Sequence, residues 1–138
     1  KTIYLINPED SWAEHKGDRP PLSLAYLSAY LKQKGHTTKI IDYNHEGITI
    51  RHIFEDKPDF ICITVATPNY NRAIEIANEI KKFKAKYPRI FSGKLKIIAG
   101  GNHVAAYPNE PKTLETYDYV VTGIDGEEGL RMIVDGEV

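Results

Sequence analysis

The chain has 138 residues, 41% hydrophobic and 27% charged, the composition of a soluble globular domain rather than a disordered or fibrous segment. Its 18 basic and 19 acidic residues leave a net charge of −1, and no apolar stretch approaches the ~20 residues that a membrane span requires. A nucleic-acid partner, a membrane span and secretion are therefore not expected, a cytoplasmic location is, and residues 1–138 are expected to form one domain.

The first strand reads Thr2-Ile3-Tyr4-Leu5-Ile6-Asn7, followed by a polar loop from Pro8 to Pro20. Pro21 then opens an amphipathic helix, with Leu24, Leu27 and Leu31 at helical spacing and Ala25 and Ala29 beside them. Gly35 closes it, which makes His36 a surface cap. The second strand is Thr38-Lys39-Ile40-Ile41-Asp42, and a short polar helix carrying an exposed His52 is expected from Ile50 to Glu55. Phe60 to Val65 form the third strand, a continuous apolar run suited to burial on both faces. Cys62 lies inside it and reads as a small core residue. As the only cysteine, it rules out an internal disulfide framework and any multi-cysteine zinc or iron–sulfur site.

A long helix is expected from Asn71 to Tyr87, with Ala73, Ile76, Ala77, Ile80 and Phe83 as its inner stripe and Lys81, Lys82, Lys84 and Lys86 toward solvent. The fourth strand is Leu95 to Ala99, a weaker helix fills Asn109 to Thr116, the fifth strand is Tyr119 to Thr122, and a last helix starts near Gly126 or Glu127. Strands alternating with helices at these intervals predict an α/β fold. The expected architecture is a doubly wound, flavodoxin-like (Rossmann-like) parallel sheet of five strands. Its expected order is 2-1-3-4-5, with right-handed crossovers and helices on both faces.

In such sheets ligands bind at the carboxyl ends of the strands. There this chain offers the hydroxyls of Thr64 and Thr67, the run Gly100-Gly101-Asn102-His103, and the turn Thr122-Gly123-Ile124-Asp125-Gly126-Glu127. Adjacent glycines allow something bulky to lie against bare backbone, so Gly101→Val is expected to close the pocket. No dinucleotide GxGxxG or phosphate-binding GxxxxGK[ST] is present. A phospho-acceptor receiver needs an aspartate at the end of the third strand, where Val65-Ala66 stand. Glu9 and Asp10 after the first strand would repel a flavin phosphate. His15, His45 and His103 are the histidines placed to reach a ligand, none with an evident catalytic partner.

The segments Pro20-Pro21-Leu22-Ser23-Leu24-Ala25-Tyr26-Leu27-Ser28-Ala29-Tyr30-Leu31, Lys34-Gly35-His36, Ile40-Ile41-Asp42, Thr67-Pro68-Asn69-Tyr70, Gly100-Gly101-Asn102-His103 and Tyr119 to Glu128 occur in order across nearly the whole chain. This ordered set resembles the N-terminal cobalamin-binding domain of cobalamin-dependent radical S-adenosylmethionine enzymes. The resemblance implies that Thr64, Thr67, Gly100, Gly101, Asn102, His103, Thr122, Gly123, Asp125 and Glu127 contact cobalamin, with the hydroxyls of Thr64 and Thr67 on its nucleotide tail, which would run along the two glycines. It also implies a C-terminal radical domain as partner, with methyl transfer or a carbon-skeleton rearrangement as the reaction done there. The iron–sulfur cluster and S-adenosylmethionine would belong to that domain, because a CxxxCxxC motif is absent. A start at Lys1 and an end at Val138 fit a piece of a longer enzyme. The Asp-x-His-x-x-Gly of cobalt-ligating modules is also absent after the first strand, so cobalamin is expected in a base-off form without a histidine ligand. Two alternatives stand beside this reading: the same fold without cobalamin, acting as a structural or docking domain, and a flavodoxin-like domain for another nucleotide-containing ligand.

Overall fold

A computed structural model describes residues 1–9, 22–44, 47–49, 51–52, 57–88, 94–122 and 126–137, with backbone alone at 22 and 23. Five strands form one parallel sheet: β1 (Thr2–Asn7), β2 (Thr37–Asp42), β3 (Phe60–Thr64), β4 (Lys96–Gly100) and β5 (Tyr119–Val120). Their order is β2-β1-β3-β4-β5, as the alternation of the sequence predicts. Leu5 pairs with Cys62 and Cys62 with Ile98, so the central strands run in step, and Ile98 pairs onward with Tyr119.

The helices divide between the two faces because successive strand residues point to opposite sides. On one face Tyr4, Ile6, Ile61, Ile63 and Ile97 meet Ala73, Ile76, Ala77 and Ile80 of α2 (Tyr70–Lys86). On the other, Ile3, Leu5, Cys62 and Ile98 meet Leu24 and Leu31 of α1 (Leu22–Gln33) and Leu130 and Val134 of α5 (Gly126–Val134). Ile61 and Ile63 are wholly buried between these layers, and each such side chain contributes about 1.5–3 kcal/mol of transfer free energy. Burial also pushes the Cys62 thiol up to about 12, in keeping with its reading as a core residue.

The first and last helices are tied to each other. The Tyr30 hydroxyl donates to Glu128, Arg131 Nε donates to both Glu128 oxygens at 3.0 and 2.9 Å, and His36 Nε2 lies 2.8 Å from Asp135 Oδ1. His36 is thus a bridge from the start of β2 to the end of α5 rather than a free surface cap. Its other ring nitrogen lies 3.2 Å from the Lys1 nitrogen, so the two ends of the described chain meet at the amino-terminal edge of the sheet.

Three further differences from expectation have local causes. Ala25 and Ala29 face solvent, and the inner side of α1 is completed by Ser28, whose hydroxyl bonds that of Thr38 on β2. The run after β4 is a short helix, α3 (Asn102–Ala106), rather than a loop, and α4 spans Pro111–Thr116 with its proline in the first turn. β5 stops at Val120, although Val121 N still donates to Ala99 O at 2.9 Å. Most of the expected 50–55 helix lies outside the described residues.

Candidate functional site

The carboxyl-terminal edge of the sheet gathers the described candidates, and the pleat sorts them into two groups. Thr64 and Gly100 are register partners at the tips of β3 and β4. By strand alternation both face the layer of α1 and α5, and a Cβ on Gly100 would sit 3.8 Å from Cys62 Sγ, an ordinary contact on that side. Thr64 is half-buried and its hydroxyl makes no hydrogen bond to any described residue. Thr67 and His103 lie on the other side of the edge, against α2.

Gly101 stands between the groups, and its need for glycine comes from the chain itself. Its φ is +103° and ψ 178°, a conformation essentially reserved for glycine. A Cβ there would lie 2.7 Å from Val65 O and 3.0 Å from Val65 N. Both Val65 groups are committed: Val65 N donates to Gly100 O at 2.7 Å, and His103 N donates to Val65 O at 3.1 Å. The close backbone approach that the double glycine predicts is therefore made by the end of β3, which changes what Gly101→Val would report.

Thr67 opens a 3₁₀ turn (Thr67–Asn69) leading into α2. The turn is pinned by Asn69, a buried side chain whose Oδ1 accepts from Ala66 N at 2.8 Å. Thr67 is exposed, and its Oγ1 lies 3.0 Å from His103 Nδ1. The second ring nitrogen, Nε2, bonds Glu110 Oε1 just before α4. Tyr70 and Tyr107 pack against the same ring, with centroids at 4.5 and 5.3 Å. His103 is buried, and both its nitrogens are engaged.

Asn102 and Thr122 are exposed at the edge, after β4 and β5 respectively, and Glu127 is exposed in the first turn of α5. Gly123 and Asp125 lie outside the described residues, as do His15 and His45. Next to this edge Asp42 accepts from Asn7 Nδ2 at 3.1 Å and from Asn44 N and Nδ2 at 3.0 and 2.9 Å. Arg72 on α2 contacts Glu9 and lies 5.5 Å above the Tyr43 ring, whose hydroxyl is pushed up to about 12 by burial and then by Glu79. No cluster of three or more metal-ligating side chains occurs among the described residues.

Sequence reasoning did not single out Glu110 or Tyr70 as parts of the edge. Glu110 is seven residues from His103, and the intervening turn brings it back; no short motif signals that return. Glu128, which ends the last resembling segment, joins α5 to α1, and its contacts with Arg131 and Tyr30 hold its carboxyl down to about 2.

A family model described as the B12 binding domain matches residues 12–133. The anaerobic magnesium-protoporphyrin IX monomethyl ester cyclase of Rubrivivax gelatinosus is 29% identical over 143 residues, covering 96% of this chain and 24% of the cyclase. The chain thus spans about a quarter of that relative's length. Among solved structures, the cobalamin-dependent S-adenosylmethionine radical enzyme OxsB, with aqua-cobalamin and S-adenosylmethionine bound, superposes with a TM-score of 0.77 at 21% identity. That match covers 99% of this chain and 19% of OxsB. The response regulator protein TrrA from Thermotoga maritima superposes with a TM-score of 0.67 at 17% identity, over 100% of this chain and 99% of TrrA. The sheet order is therefore shared with proteins of different chemistry, and the family model separates them. Because that model takes in most of the sequence, from Trp12 into α5, the chain belongs to the B12-binding domain family.

Proposed function

We propose that this chain is the cobalamin-binding module of a larger radical S-adenosylmethionine enzyme, whose reaction takes place with a C-terminal domain. The observation that carries this reading is the B12-binding family match across the strand-end edge. The edge fits the group: Thr64 offers a half-buried hydroxyl that no described residue uses, beside a glycine whose Cβ position no described residue crowds. Thr64 and Gly100 would hold the nucleotide tail, Thr67 and Asn102 would meet the corrin side chains, and Thr122 would border them. Gly123, Asp125 and Glu127 would complete the rim.

Bound cobalamin supplies a cobalt-centred carrier for methyl transfer or a carbon-skeleton rearrangement. His103 serves as a wall, not a cobalt ligand, because Thr67 and Glu110 take both ring nitrogens. This supports cobalamin bound without His103 on the metal; the base-off form is part of the same proposal. The iron–sulfur cluster and S-adenosylmethionine belong to the partner domain, since Cys62 is a single buried thiol.

The test is to mix the protein with hydroxocobalamin, desalt it, and record the visible spectrum. A retained corrin spectrum of base-off character, lost in Gly100→Val, is the expected result. No retained colour, with a known cobalamin protein behaving normally in parallel, overturns the reading. That outcome would favour a structural or docking domain, a role consistent with Gly101 being required by the fold itself.

A further inference from the structure

We propose that Glu110, acting through His103, fixes the Thr67 hydroxyl as an outward-facing hydrogen-bond acceptor for an N–H group of the ligand. The polarity follows from the chain of partners. An ionised carboxylate only accepts, so Nε2 of His103 carries the proton that it gives to Glu110. In the neutral ring Nδ1 then holds a lone pair, and the Thr67 hydroxyl must donate into it across 3.0 Å. A hydroxyl has one proton and two lone pairs. With the proton turned inward, Thr67 shows only lone pairs to the exposed side of the edge.

The arrangement is held on every side. Tyr70 and Tyr107 pack against the imidazole, so its plane is fixed. His103 N is bonded to Val65 O, which fixes the backbone beneath it. Glu110 is 37% exposed at its side chain and Thr67 is exposed, whereas the ring between them is 9% exposed at its side chain. Glu110 and His103 are thus positioning residues, and Thr67 is the group that touches the ligand. The identity of the donor rests on the cobalamin reading: the corrin periphery carries primary carboxamides, whose N–H groups are donors that an acceptor-only Thr67 selects. A ring carrying both protons would reverse the scheme, forcing Thr67 to accept from Nδ1–H and to turn its own hydrogen outward.

Two measurements test this independently. In the ligand-free, ¹⁵N-labelled protein near neutral pH, long-range ¹H–¹⁵N correlation is expected to show His103 with a protonated Nε2 and an unprotonated Nδ1. A protonated Nδ1 overturns the proposal, whether or not cobalamin binds. Spectral titration with hydroxocobalamin then gives dissociation constants for Thr67→Val, Glu110→Ala and the pair. Each single change is expected to weaken binding about fivefold, the worth of one neutral hydrogen bond, and the pair by no more than about fivefold. Glu110→Gln restores binding, because its amide oxygen still accepts from Nε2. Independent losses multiplying to about 25-fold, or an unaffected Glu110→Ala, refute the relay. Thermal melts run in parallel identify a folding defect in Glu110→Ala, in which case Glu110→Gln, Thr67→Val and the ring spectrum decide. Should the parent bind no cobalamin, the proposed function fails while the ring spectrum still settles the positioning role.

Discussion

Gly101→Ala is the substitution whose cost the backbone geometry fixes most directly. At φ +103° and ψ 178° an alanine occupies a region costing of order 1–3 kcal/mol. Its Cβ would also lie 2.7 Å from Val65 O and 3.0 Å from Val65 N, backbone atoms that cannot rotate aside. Moving Val65 weakens its bonds to Gly100 O and from His103 N, each worth about 1 kcal/mol. Together these give a loss of about 4 kcal/mol, a large share of the 5–15 kcal/mol typical of a domain. Gly100→Ala provides the contrast, because among the described residues its Cβ meets only Cys62 Sγ at 3.8 Å, and its cost is expected within about 1 kcal/mol. The assay is urea denaturation followed by circular dichroism. With a slope of about 2 kcal/mol per molar, the Gly101→Ala midpoint falls by about 2 M at unchanged slope. A midpoint within about 0.3 M of the parent, well under 1 kcal/mol at that slope, would show that Val65 yields freely and that the reasoning is wrong.

Two further outcomes follow from side chains away from that turn. Glu128 is held near 2 by Arg131 and then Tyr30, against an ordinary 4.5, so its contribution is fully present above about 4.5 and fades as pH falls toward about 2. Glu128→Gln should therefore melt below the parent at neutral pH and converge with it in acid; a gap that persists at the acid end contradicts the assignment. The Tyr117 hydroxyl is buried without a hydrogen-bond partner among the described residues, and burial pushes it above the ordinary tyrosine range. Tyr117→Phe is expected to leave stability unchanged or raise it by up to about 1 kcal/mol; a melting temperature lowered by more than about 3 °C argues for a partner in solution.

The sheet and its order are legible in the sequence because buried parallel strands announce themselves as continuous apolar runs. Phe60-Ile61-Cys62-Ile63 is one such run, and all four side chains are buried. The inner stripe of α2 is equally plain, since Ala73, Ile76, Ala77 and Ile80 recur at helical spacing. α3 is not legible: five residues are too few to show a helical period, and the preceding double glycine reads as a loop. The edge is legible as a place more than as a mechanism. A glycine required by an approaching backbone looks the same in sequence whether that backbone belongs to the chain or a ligand takes its place, and only the position of Val65 distinguishes them. The link from Glu110 through His103 to Thr67 spans three segments brought together by tertiary packing alone.

The bridge made by His36 also has an architectural consequence. Because it gathers Lys1 and Asp135 at the amino-terminal edge, both ends of this unit leave from the side facing away from Thr64, Thr67 and Gly100. Those residues sit one strand length off, roughly 20 Å for the six residues of β1. Any polypeptide joined at either end must climb that height along the flank of the sheet before it can roof the edge. The reach and stiffness of any such connecting segment would then limit which surfaces could lie over Thr64, Thr67 and Gly100.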